Sequence, residues 1–161
     1  CLMLAWSVFD DRLRSLDSVA VTLVLGSTAA LATGSIVLLR LLDDGATVTM
    51  MLAIIAVTGL AAWAAQRFAP DTAVMDPNLA AIGGALLAGL VAALTTDILP
   101  LSTVMLAAVA VGGGYIAGRT LGSMVRSGPV VHTVRAPGVL TMFDGAIVAA
   151  PLFWAVITVF S

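Results

Sequence analysis

The chain has 161 residues, of which 61% are hydrophobic and 10% charged, and its formal net charge is −2. A soluble domain carries about 25% charged residues, so this composition, with a mean hydropathy of +1.14, excludes an ordinary soluble fold and points to an integral membrane protein. The seven basic residues form no basic tract and no interleaving of Arg with aromatics, so no nucleic-acid partner is expected.

The opening "CLMLAWSVF" (1–9) reads as the tail of an apolar helix. The chain is therefore expected to be the C-terminal part of a longer polytopic protein, with 1–161 as one membrane domain. Cys1 is the only cysteine, which leaves no disulfide framework and no thiolate metal site. All basic residues are Arg and all acidic residues are Asp, a bias attributed to GC-rich coding.

Five long apolar runs follow, at 17–39, 46–65, 79–94, 101–118 and 145–160. Crossing about 30 Å of hydrocarbon takes about 20 helical residues. The first two runs reach that length, whereas the third and fifth must borrow flanking residues. Backbone groups in lipid must satisfy one another, so the runs predict helices rather than strands. The expected fold is all-α, with about five transmembrane helices plus the end of a preceding one.

The connectors carry the helix breakers and the charges. Alternating the sides places Arg12, Arg14, Arg67, Arg119, Arg126 and Arg135 on one side and Arg40 on the other. The positive-inside rule makes the first side cytoplasmic, and with it the connectors 66–78 and 119–144. The expected location is a bacterial inner (plasma) membrane. Gly114, Gly118 and Gly122 recur every four residues and predict close helix packing.

Candidate site residues cluster in the cytoplasmic connectors. Asp76 precedes Pro77 and reads as a helix cap. Arg67 ends a span, where it can snorkel. Arg119 and Arg126 are two helical turns apart on one face, an arrangement suited to anionic lipid or phosphate. Asp144 opens the last apolar run and is expected to cap it. His132, the only histidine, stands between "VV" and "TVR" and reads as a solvated loop residue.

Four segments add a family resemblance. They are "TGLAAWAAQRFA" (58–69), "DPNLAAIGGALLAGLVAAL" (76–94), "GRTLGSMVRS" (118–127) and "APGVLTMFDGAIVAAPLF" (136–153). In order and spacing they resemble the motifs of the phosphatidate cytidylyltransferases, or CDP-diacylglycerol synthases, across most of 40–160. Ala61, Arg67, Phe68, Pro77, Gly83, Gly118, Ser123, Arg126, Gly138, Val139, Leu140 and Asp144 match those motifs.

The resemblance implies phospholipid biosynthesis: CTP and phosphatidate give CDP-diacylglycerol and pyrophosphate, with Mg²⁺ as cofactor. Asp144 would be the metal ligand and catalytic carboxylate, with Asp76 as a second candidate. Arg67, Arg119, Arg126 and Ser123 would hold phosphate or lipid headgroup. Implied partners are the bilayer, CTP and phosphatidate, and a homodimer is left open.

The departures fall on the charged motif positions. Thr58, Arg119, Gly122, Thr141 and Met142 stand where the family has Asp, Asp, Glu, Asp and Arg, and both motif lysines are gone. Each missing group removes several kcal/mol of transition-state stabilisation, and about 1.4 kcal/mol is already tenfold in rate. These losses argue against activity. The alternative reading is therefore a non-catalytic paralogue that binds anionic lipid or a membrane partner. A small transporter fragment is the second alternative, against which no ionisable residue lies mid-span.

Overall fold

A computed structural model of the chain describes residues 16–42, 45–68, 76–127 and 140–160. Among them every regular element is helical: α1 Leu16–Arg40, α2 Ala46–Phe68, α3 Pro77–Thr95, α4 Leu101–Ser127 and α5 Leu140–Phe160. The apolar tail expected at 1–9, together with Arg12, Arg14, His132 and Arg135, lies outside the described residues.

Among the described residues three helices are long and apolar enough to cross a membrane: Ala46–Phe68, Pro77–Thr95 and the Leu101–Ser123 part of α4. Asp144–Phe160 forms a shorter apolar stretch. At 1.5 Å per residue α3 is about 28 Å long, close to the hydrocarbon thickness, and α4 is about 40 Å.

Hydroxyl side chains are accommodated by bonding back to their own helix. Ser35 donates to the Leu31 carbonyl at 2.7 Å, Thr58 to Ile54 at 2.6 Å, and Thr158 to Trp154 at 2.7 Å. Each hydroxyl is thereby hidden from lipid at the cost of sharing a carbonyl already in the helix ladder. Among the described residues no buried side-chain nitrogen or oxygen lacks a partner.

The helices form an up-and-down bundle in which α2 touches each of the other four. Its core holds Leu39, Met51, Ile54, Val104, Val111 and Phe153, all fully buried. Large apolar side chains also cover the outside: Leu31, Leu60, Leu87, Leu94 and Val159 are all more than half exposed. A surface of that kind is stable against lipid tails rather than water.

Small residues set the spacing between helices. A Cβ at Gly84 of α3 would stand 2.6 Å from Ala61 Cβ of α2, and one at Gly89 would stand 2.6 Å from Ala108 Cβ of α4. The triplet Gly112–Gly114 serves two neighbours. Residues two apart on a helix point about 200° apart. Accordingly Gly112 faces Ile82 and Ala85 of α3, Gly114 faces Ala149 of α5, and Gly113 between them is open. At the far end Thr103 of α4 donates to the Phe160 carbonyl at 3.0 Å, which fixes α4 and α5 as antiparallel.

Two element boundaries differ from the sequence expectation. α4 continues nine residues past the run that ends at 118, and α5 begins at Leu140 instead of 145. The apolar run marks where hydrocarbon ends, but nothing in "GRTLGSMVRS" stops a helix. The segment 119–144 is thus largely helical at both ends, and only 128–139 lies outside the described residues. Asp144 is in consequence the fifth residue of α5, one turn inside, and not its cap.

Candidate functional site

The C-terminal half of α4 carries the one tyrosine of the chain, Tyr115, which is 3% exposed. Its ring lies among three helices because two facing positions have no side chain. A Cβ at Gly59 of α2 would meet the Tyr115 hydroxyl oxygen at 3.4 Å, and one at Gly145 of α5 would overlap the ring itself. One turn further along α4, the guanidinium carbon of Arg119 stands 6.0 Å from the Tyr115 ring centroid. Residues four apart share a helix face, so the aromatic face and the cation meet by spacing alone.

Asp144 packs against the same part of α4. Its backbone carbonyl lies where a Cβ at Gly118 would be, and its carboxylate Oδ2 lies where a Cβ at Gly122 would be. The sequence reading of the Gly114, Gly118 and Gly122 repeat as a packing surface therefore corresponds to one groove, and α5 fills it. Asp144 is half-buried, and its charge and that of Arg119 both act at the Tyr115 hydroxyl.

The remaining candidates share this end of the bundle. From the contact of Gly112 with Ile82 and Ala85, about two turns along both helices bring Arg119 and Asp76 to one depth. From the contact of Gly84 with Ala61, a similar step brings Asp76 level with Arg67. All four sequence segments that resemble the family motifs thus reach the same end. Arg40 and Asp97 flank the opposite end.

Sharing a depth is not the same as sharing a ligand. Asp76 is the N-cap of α3, and its Oδ1 accepts the Asn78 backbone N–H at 2.8 Å. Pro77 at the first helical position completes that start. Arg67 is exposed on the last turn of α2, beside the Trp63–Phe68 pair, whose rings meet edge to face at 6.2 Å. Ser123 is exposed and donates to the Thr120 carbonyl at 2.7 Å. Arg126 lies two turns beyond Arg119 on α4.

Magnesium, which the family resemblance implies, is poorly matched by these donors. Asp144 supplies one carboxylate and Asp76 is committed to its cap. The guanidinium of Arg119, one turn beyond Tyr115 on α4, would repel a cation. Among the described residues no group of three His, Cys, Asp or Glu side chains is placed to hold a metal ion.

Sequence reasoning missed Tyr115, Gly59 and Gly145. The available signal was a single tyrosine four residues before an arginine, inside a glycine-rich helix. No protein-family model matches the chain, nor does any curated protein or solved structure. What the fold and site define is the class: an all-helical bundle, with helices apolar enough to span a membrane and a cationic, glycine-lined end.

Proposed function

We propose that the chain is a membrane-embedded protein of the phosphatidate cytidylyltransferase type that holds an anionic phospholipid headgroup and does not complete nucleotidyl transfer. All five helices cross the bilayer in this reading. The end bearing Arg67, Arg119 and Arg126 faces the cytoplasm of a bacterial inner membrane, where phosphatidate is met.

The observation that carries the reading is the seating of Asp144. Its carboxylate fills the α4 groove at Gly122, on the helix that carries Arg119, and the charges of both residues reach Tyr115. A phosphate monoester on a lipid is a dianion. Arg119 offers it a planar fork of N–H donors, which bind phosphate bidentately.

The family reaction has a different requirement. Attack of the phosphatidate oxygen on the α-phosphorus of CTP depends on positive charge at the β- and γ-phosphates and on metal held by several carboxylates. Arg119 and Gly122 occupy two of those places. Binding without transfer is what the remaining groups support.

The test is CTP-dependent formation of CDP-diacylglycerol by the purified chain in phosphatidate-containing liposomes with Mg²⁺. Product no greater than that of an Asp144→Asn control is expected. Product clearly above the control would make the chain an active transferase and overturn the reading.

A further inference from the structure

The proposed headgroup site has a buried aromatic residue directly behind its cation. We propose that Tyr115 is a positioning residue that aims Arg119 at the phosphate of an anionic lipid. This inference rests on the headgroup reading above and adds its specificity determinant.

An arginine at the end of a membrane helix normally has a wide choice of rotamers, and holding it in one costs entropy. Here the Tyr115 ring is itself enclosed by packing. It is 3% exposed and packed against Gly59 and Gly145, two positions without side chains on two other helices. Arg119 stands over that fixed ring, with its guanidinium carbon 6.0 Å from the centroid. A cation–π contact consumes none of the five guanidinium N–H donors, so the fork remains available to an oxyanion.

Asp144 lies on the facing helix, its carboxylate against Gly122, one turn beyond Arg119 on α4. The ring provides a neutral counterweight. It attracts the guanidinium through its negative face, without supplying the full charge that would saturate Arg119. A dianionic phosphate monoester gains more from a cation so held than a zwitterionic headgroup does. Tyr115 therefore acts on the choice of lipid as well as on packing.

The experiment uses the full chain in nanodiscs containing phosphatidate and phosphatidylcholine, with the retained lipids identified by native mass spectrometry. Tyr115→Phe keeps the aromatic face and is expected to keep the wild-type preference. Tyr115→Leu is expected to lower the phosphatidate-to-phosphatidylcholine ratio by roughly 3- to 10-fold, the range that a partly desolvated cation–π contact corresponds to.

If Tyr115→Leu fails to fold, trifluorinated phenylalanine at the same position provides the test. It preserves ring shape but drains the negative face, so packing stays while the preference falls. Wild-type preference in the Leu chain, or in the fluorinated chain where the Leu chain does not fold, overturns the role of Tyr115 and leaves the headgroup reading standing. No preference for phosphatidate in the wild type overturns both.

Discussion

The Asp144 carboxylate of α5 occupies the space in which a side chain at Gly122 of α4 would sit. The two positions are coupled by volume: one residue has a side chain because the other has none. The same holds one turn earlier, where the Asp144 carbonyl lies over Gly118. Close approach of two membrane helices through small residues is a general device. Here it also determines where the Asp144 carboxylate points.

Substituting the groove glycines should separate these contacts. Gly118→Ala meets the Asp144 backbone, which cannot rotate away, whereas Gly122→Ala meets a carboxylate that can. Overpacking typically costs about 1–3 kcal/mol, with Gly118→Ala expected at the upper end and Gly122→Ala at the lower. Gly113→Ala, with nothing within 4 Å, should be neutral or should stabilise by up to about 1 kcal/mol through helix propensity. Unfolding midpoints in detergent rank the three, and equal losses at Gly113 and Gly118 would contradict the packing.

Gly145 and Tyr115 should be energetically coupled. A methyl at 145 overlaps the ring, so Gly145→Ala forces Tyr115 to move. Its cost should shrink in a Tyr115→Leu background. Residues in direct contact give interaction energies of about 0.5–3 kcal/mol in a double-mutant cycle. Strict additivity would mean that the ring does not lie against Gly145.

Asp76 is expected to behave as a cap alone. Asp76→Ala should cost about 1 kcal/mol, and Asp76→Asn should restore most of it, because the Asn78 N–H needs an acceptor and not a charge. Anionic lipid retention should be the same in both. Loss of lipid preference in Asp76→Asn, with stability unchanged, would return Asp76 to the site.

The hydrogen bond from Thr103 to the Phe160 carbonyl pins the opposite end. Thr103→Val removes it with little change in volume. The expected loss is about 0.6 kcal/mol, the average for polar contacts between membrane helices. Hydrogen exchange should quicken over the last turn of α5 and leave the Asp144 end unchanged.

The helices were legible in the sequence because lipid imposes one backbone solution on every long apolar run. The expected 17–39 and 79–94 became Leu16–Arg40 and Pro77–Thr95, and the cap at Asp76 was readable from "DPN". The C-terminal end of α4 was not. Hydropathy reports solvent, and a helix that leaves the hydrocarbon stays helical while its side chains turn polar. That is why Asp144 was expected as a cap and is instead one turn inside α5, facing another helix. Tyr115 escaped notice for a different reason. Its role depends on Gly59 and Gly145, far from it in sequence, and a glycine's absent side chain carries no sign of which neighbour will use the space.

The most direct test of the account is the lipid composition retained by the full chain from membranes offering phosphatidate and phosphatidylcholine together. A preference for phosphatidate, lost when Arg119→Ala is combined with Arg126→Ala, is the predicted result. Equal retention of the two lipids, or a preference that survives both substitutions, would contradict it.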